Sequence, residues 1–251
     1  MKVAEHITAL ETAGRALAEA AAEAGPDAEV PTCPGWRVRD LLRHTTMVHR
    51  WATAFVVEGH TTYHPDGGEP ALDGDELLAC YREGHAGLVA ALRAAPETLE
   101  CWTFLPAPSP LAFWARRQAH ETIVHRADAE SALATGPGPV DPVSAADGID
   151  ELLRGFHGRE SSRVRTPGPR ILRVRATDTG DVWTVRLSAT EPPRTERGTT
   201  QATTAADVEF SGTAGRLYLA LWNRLPADAV TLTGDDELAR LWRENSAVTW
   251  N

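Results

Sequence analysis

The sequence predicts an α+β protein in which a four-helix bundle, residues 1–138, precedes a smaller α+β domain, residues 139–251. Two observations support this division. Four long stretches in the first half place apolar residues at helical spacing, whereas after residue 170 the apolar residues alternate with a period of two. Between the halves lies the segment TGPGPVDP, residues 135–142, whose glycines and prolines are typical of a linker.

The first half contains four predicted helices joined by loops. They span residues 3–24, 37–58, 75–94 and 111–130. The dipeptide Gly25-Pro26 ends the first helix, and four prolines in residues 96–110 exclude a helix through most of that segment. Four helices with connections of ordinary length indicate a bundle, and facing helices of a bundle often supply the ligands of a metal site.

The second half begins with a short predicted helix, residues 143–156, and continues with a predicted hairpin. Leu172 and Val174 alternate with arginines, Val185 and Leu187 belong to a second alternating run, and the polar segment 177–181 supplies the turn. Further strands are predicted near 208–210 and 230–233, and further helices at 214–225 and 235–244. This mixture predicts a small α+β domain.

The composition excludes several classes of partner. The formal net charge is −10 and the chain has no basic run, so nucleic acid and anionic membrane surfaces are not expected partners. No apolar run is long enough to span a membrane, and the N-terminal residues lack the apolar core of a signal peptide. A cytoplasmic location is therefore expected. The three cysteines form no CxxC pair, so reduced thiols are expected.

The fourth predicted helix, LAFWARRQAHETIVHRADAE, carries the most informative pair of side chains. Glu121 and His125 are four residues apart and share one helical face, as a pair of metal ligands would. His120 and His125 are five apart, so the HExxH pattern of zinc proteases is absent. The same face could be an ordinary solvated stripe, but Trp114 lies on it, which favours the lining of an internal cavity.

A catalytic zinc site commonly has three protein ligands and one open position. The second predicted helix offers two histidines, His44 and His49, which are five apart, so at most one of them can join Glu121 and His125. Periodicity does not choose between them, because both lie at the flank of that helix's apolar stripe. Each could also be an ordinary polar residue at a helix edge. Asp128 shares the ligand face and could orient an imidazole or simply be solvated.

The chain contains three characteristic segments, in the order PTCPGWRVRDLLRHTTMVHRWA, AHETIVHRADAE and LYLALWNRLPADAVTLTGDDELARLW. Together they resemble the maleylpyruvate isomerase family of mycothiol-dependent metalloenzymes. The resemblance covers nearly the whole chain. It implies a DinB-like helical bundle followed by a domain similar to sterol carrier proteins. It also implies that the metal ligands are His44, Glu121 and His125, and that Arg224 is a functional residue. The position before that arginine, commonly glycine in the family, is Asn223 here.

These observations lead to a hypothesis about function. We expect an enzyme that holds zinc or another divalent metal and uses a low-molecular-weight thiol, which the resemblance implies is mycothiol, as a metal-bound thiolate. The thiolate would add to an electrophilic small molecule, giving isomerisation or S-transfer, while Arg224 binds the thiol or an anionic group of the substrate. The alternatives are a metal-binding module without catalytic activity and a metal-dependent hydrolase on the same bundle.

Overall fold

A computed structural model describes residues 1–199 and 205–248 of the chain. The chain divides into two compact units, Met1–Gly138 and Pro139–Asn251. The first unit is helical, and the described residues of the second form helices and a five-stranded sheet. The predicted α+β class, with a helical bundle in the N-terminal half, is therefore confirmed. In the described part of the chain, no helix combines the length and the apolar character that crossing a membrane requires.

The first unit is a bundle of four helices. Its elements are α1 (Val3–Ala24), α2 (Val38–Glu58), α3 (Gly74–Ala94) and α4 (Pro110–Ser131). Each begins and ends within one residue of its predicted bounds. Helix α1 packs mainly against α4 and α3, and α2 packs mainly against α3 and α4. Fully buried side chains such as Leu10, Leu17 and Leu41 fill the space between the helices.

Helix α4 begins with a well-formed cap and is buried along almost its whole length. The Ser109 side chain accepts a hydrogen bond from the backbone N–H of Ala112, and Pro110 takes the first helical position, where no donor is needed. The apolar side of the helix is buried at Ala119 and Ala127, and its polar side is buried as well. The polar stripe predicted from the sequence is therefore not a solvated face.

The second unit begins with α5 (Pro142–Asp150), which continues into a π-helical turn, Glu151–Phe156. In the part of this unit that the structure describes, the sheet contains five strands in the spatial order β3-β2-β1-β4-β5. They are β1 (Arg170–Ala176), β2 (Asp181–Leu187), β3 (Arg194–Thr199), β4 (Val208–Gly212) and β5 (Thr231–Gly234). Strand β1 pairs with β4 in parallel, and the other three neighbours are antiparallel. Helices α6 (Ala214–Leu221) and α7 (Asp236–Asn245) complete the unit.

The structure corrects two sequence-based predictions in this unit. Strand β3 was not predicted, because its residues are mostly exposed and carry no apolar alternation. Helix α6 ends at Leu221 instead of residue 225, because Asn223 adopts a left-handed backbone conformation with φ of 60° that cannot continue an α-helix. Asparagine and glycine tolerate this conformation better than other residues do. Asn223 therefore suits the left-handed backbone at this position, as the glycine expected there from the family resemblance would.

Candidate metal centre

Three potential ligand side chains converge inside the helical unit. His44 extends from α2, and Glu121 and His125 extend from successive turns of α4. One ligand atom from each lies within 4.8 Å of the other two. The Glu121 Oε1 atom is 3.2 Å from His125 Nε2 and 3.6 Å from His44 Nε2. Helical spacing predicted the α4 pair, the family resemblance pointed to His44, and the structure brings these three side chains close together.

His49 lies outside this cluster. It is fully buried, its Nε2 atom is 2.9 Å from the Thr122 hydroxyl, and its ring packs against Tyr81 and His85. Burial lowers the pKa of His49 to about 3, with a contribution from the charge of His85. His49 is therefore a neutral core histidine that bonds α2 to α4.

Two further histidines, His85 and His120, also lie apart from the cluster. His85 is buried and makes a hydrogen bond through Nε2 with the Leu10 carbonyl oxygen, 3.1 Å away. It is thus a packing residue. His120 is buried, and its ring meets that of His6 edge-to-face at 5.8 Å between centroids.

The two oxygens of Glu121 face different partners. Oε1 faces the histidines, whereas Oε2 accepts a hydrogen bond of 3.1 Å from Nη2 of Arg117, which is also buried. Burial alone would raise the pKa of Glu121. Hydrogen bonds with His125 and His44 and the nearby positive charges overcome that effect and hold the pKa of Glu121 well below its usual range. Glu121 is consequently a carboxylate with one oxygen directed at the two imidazoles.

His125 is held from its other ring nitrogen by a buried acid. Its Nδ1 atom is 2.9 Å from Asp128 Oδ2, and Asp128 is fully buried. Burial opposes the protonated ring, but hydrogen bonds with Asp128 and Glu121 raise the pKa of His125 to about 9. Asp128 is therefore not a solvated acid. It fixes the orientation of the imidazole, as carboxylates commonly do behind histidine ligands of metals.

The loop between α1 and α2 reaches both sides of the cluster. Thr32 Oγ1 donates a 2.6 Å hydrogen bond to Asp128 Oδ1, and the Trp36 ring meets the His44 ring edge-to-face at 5.1 Å. A β-bridge between Glu29 and Arg37 closes the loop at its base. Periodicity does not point to a role for this loop. The available signal was its inclusion in the first of the three segments that carry the family resemblance.

The donor atoms suit a zinc ion. Two imidazole nitrogens and one carboxylate oxygen form a ligand set typical of catalytic zinc. Bond lengths of about 2.0–2.1 Å in a tetrahedral arrangement separate ligand atoms by roughly 3.3 Å. The separations of 3.2 and 3.6 Å from Glu121 Oε1 lie on either side of that value. The residues present therefore fit a divalent metal.

Comparison with known protein families gives two matches along the chain. Residues 7–130 match the family described as mycothiol maleylpyruvate isomerase N-terminal domain, and residues 144–241 match the MDMPI C-terminal domain. The chain belongs to the mycothiol-dependent maleylpyruvate isomerase family. His44, Glu121 and His125 lie in the N-terminal family domain, and Arg224 lies in the C-terminal one.

Solved structures of mycothiol-dependent maleylpyruvate isomerase share the fold. One, of a histidine-to-alanine mutant, gives a TM-score of 0.62 at 13% sequence identity, and the match covers 93% of each chain. Another structure of the isomerase gives a TM-score of 0.61 at 14% identity, with the same coverage. No match was found among curated protein sequences.

Arg224, the other residue that the family resemblance singles out, follows the end of α6. Its Nη1 atom donates a 2.9 Å hydrogen bond to the Trp222 carbonyl oxygen, and its backbone N–H donates to the carbonyl oxygen of Leu219. The side chain is half-buried. Part of the guanidinium thus satisfies a carbonyl group just beyond the helix.

Proposed function

We propose that this protein is a mycothiol-dependent enzyme of the maleylpyruvate isomerase type that holds a divalent metal, preferentially zinc, on His44, Glu121 and His125. The observation that carries the proposal is the convergence of three buried or half-buried ligand atoms within 4.8 Å. A metal with three protein ligands keeps one position for an exogenous ligand, where it lowers the pKa of a bound thiol.

The chain's own residues would prepare that position in distinct ways. Glu121 supplies one negative charge, and Arg117 occupies the carboxylate oxygen that faces away from the histidines. Asp128 keeps Nδ1 of His125 engaged, which leaves Nε2 for the metal. Burial of these groups keeps water from competing for their hydrogen bonds. Together they hold the ligand atoms in place before the thiol arrives.

The chemistry proposed is addition of the thiol sulfur to an electrophilic carbon of a small molecule. Expulsion of the thiol after rotation about the former double bond gives cis–trans isomerisation, and retention of the adduct gives S-transfer. Arg224 binds a carboxylate or another anionic group, for which its planar guanidinium is suited. We place this reaction in the cytoplasm, where a low-molecular-weight thiol is kept reduced.

The test combines metal analysis with turnover. Zinc-loaded protein is incubated with mycothiol and maleylpyruvate, and both isomerised product and thiol adducts are measured by mass spectrometry. We expect conversion that requires both metal and mycothiol. Single alanine substitutions at His44, Glu121 and His125 should each strip the metal, whereas His49→Gln should retain it. Metal binding without any reaction would favour the non-catalytic module, and metal-dependent hydrolysis without thiol would favour the hydrolase.

A further inference from the structure

One face of α4 carries a continuous stripe of five side chains. Their spacing, four, three, four and three residues, returns each to nearly the same side of the helix. The stripe consists of Trp114, Gln118, Glu121, His125 and Asp128, and every one of these side chains is buried. Three of them belong to the candidate metal centre or support it directly.

Four members of this stripe have hydrogen-bond partners within the helical unit. The indole N–H of Trp114 donates to the Trp102 carbonyl oxygen at 3.0 Å. Glu121, His125 and Asp128 bond to one another and to their neighbours, as described above. Gln118 differs from them. Its Oε1 atom is buried and has no hydrogen-bond partner among the residues that the structure describes.

A buried amide that serves only packing normally finds a partner within the fold, because leaving it unsatisfied costs free energy. Gln118 is only 1% exposed and lies one turn from Glu121. Side chains three residues apart on a helix have Cβ atoms about 5–6 Å apart. Gln118 therefore lies beside Glu121 on the face of α4 that carries the candidate metal centre.

We propose that Gln118 binds the ligand of the metal centre by accepting a hydrogen bond from a hydroxyl or amide N–H group. This inference rests on the proposed function. An amide oxygen accepts and does not donate, so the group it recognises carries an O–H or N–H hydrogen and is not a carboxylate. The donor lies near the reacting sulfur, and we assign it to the thiol cofactor.

The test replaces Gln118 with methionine, which has a similar length and no hydrogen-bonding amide. Metal-loaded wild-type and Gln118→Met proteins are titrated with mycothiol alone by calorimetry. We expect the dissociation constant of mycothiol to rise about tenfold, the effect of one lost hydrogen bond. Metal content should be unchanged, and thermal stability should be equal or higher, because an unsatisfied polar group has been removed.

Thr122→Val is the matched control. Thr122 is also a buried polar residue of α4, but its hydroxyl is satisfied by His49 within the fold. This variant should lose thermal stability and leave the dissociation constant of mycothiol unchanged. A Gln118→Met protein that behaves in the same way would overturn the proposal, since Gln118 would then be a packing residue.

A kinetic experiment distinguishes the two possible ligands. Gln118→Met could leave mycothiol binding unchanged but raise the KM for maleylpyruvate. The hydrogen-bond donor would then belong to the electrophile. That result would overturn the assignment to the thiol but not ligand binding by Gln118. Unchanged binding and unchanged KM would overturn both. Failure of the wild-type protein to bind mycothiol would instead refute the proposed function, and with it this inference.

Discussion

Asp128 receives hydrogen bonds on both carboxylate oxygens, one from His125 and one from Thr32. Asp128→Asn keeps the size of the side chain but removes its charge. We expect the dissociation constant of zinc to rise by about 10- to 100-fold, the usual effect of losing a partner behind a metal ligand. Competition with a chromophoric chelator measures this change. An unchanged affinity in a folded Asp128→Asn protein would show that His125 is oriented by other contacts.

Thr32 provides a second, more conservative test of the same hydrogen-bond chain. Thr32→Ser keeps the hydroxyl that bonds Asp128 Oδ1, whereas Thr32→Val keeps the shape and loses the hydroxyl. Zinc affinity should therefore be close to wild type in the serine variant and several-fold weaker in the valine variant. Equal weakening in both would mean that the threonine methyl group, and not its hydroxyl, positions the loop.

His157 predicts a pH dependence of stability in the second unit. Burial lowers its pKa to about 4, its Nδ1 atom is 3.1 Å from the Ser162 hydroxyl, and its ring packs against Trp242. The unfolded chain takes up a proton near pH 6.5, but the folded protein does so only near pH 4. Stability contributed by the neutral ring is thus fully present above pH 6.5 and falls as the pH decreases towards 4.

The measurement is urea unfolding of wild-type and His157→Phe proteins at pH 7.5 and pH 5. Over this interval the wild type should lose about 2 kcal/mol more than the variant, at 1.36 kcal/mol per pH unit below 6.5. Parallel losses in wild type and His157→Phe would contradict a depressed pKa at this residue.

At the scale of elements, a single glycine controls the packing of α1 on α3. A Cβ atom at Gly14 would lie 2.1 Å from Nε2 of the buried His85 ring. Gly14→Ala improves helix propensity by about 1 kcal/mol, but overpacking costs about 1–3 kcal/mol and the hydrogen bond between His85 and Leu10 about 1 kcal/mol. We therefore expect a net destabilisation of roughly 1–3 kcal/mol in urea unfolding.

Gly87 on α3 is the matched control for this prediction. It is exposed, and no atom lies within 4 Å of the Cβ that alanine would add. Gly87→Ala should stabilise the protein by about 0.5–1 kcal/mol through helix propensity alone. Adding His85→Ala to Gly14→Ala should recover part of the lost stability. Stabilisation by Gly14→Ala would show that the His85 ring moves aside freely.

Helix α4 shows how far the sequence predicts an element. Its bounds follow from the run without proline or glycine between residues 111 and 130, and the structure extends it by one residue at each end. Its burial along almost the whole length does not follow from the sequence, because polar residues are ordinarily solvated. Arg117, Glu121 and Asp128 are buried here since each meets a partner contributed by its own helix or by a distant loop.

Periodicity could predict neither strand β3 nor the choice of His44, because both depend on contacts with a neighbouring element. The polar sequence of β3 becomes a strand because β2 offers it a ladder of hydrogen bonds. His44 and His49 occupy equivalent flanks of α2, and only the packing of α2 against α4 separates them. The family resemblance selected His44, and no local pattern did.

At the scale of the whole molecule, the proposed function needs a residue from the second unit. Arg224→Lys tests it, because a lysine can still donate to the Trp222 carbonyl oxygen but lacks the planar fork. We expect a melting temperature and zinc content close to wild type, with kcat/KM lowered by at least about tenfold. Unchanged kinetics in a stable, zinc-loaded variant would leave Arg224 with a purely structural task at the end of α6.

The packing order of the bundle has a consequence during synthesis on the ribosome. Helix α1 packs mainly against α4 and α3 and has little contact with α2, its neighbour in sequence. The chain must grow by 107 residues, from Ala24 to Ser131, before α4 is complete. At about 5–20 residues per second, this takes roughly 5–20 s. Throughout that time α1, whose Ile7, Leu10 and Leu17 are buried in the folded bundle, lacks the helix against which it makes most of its contacts.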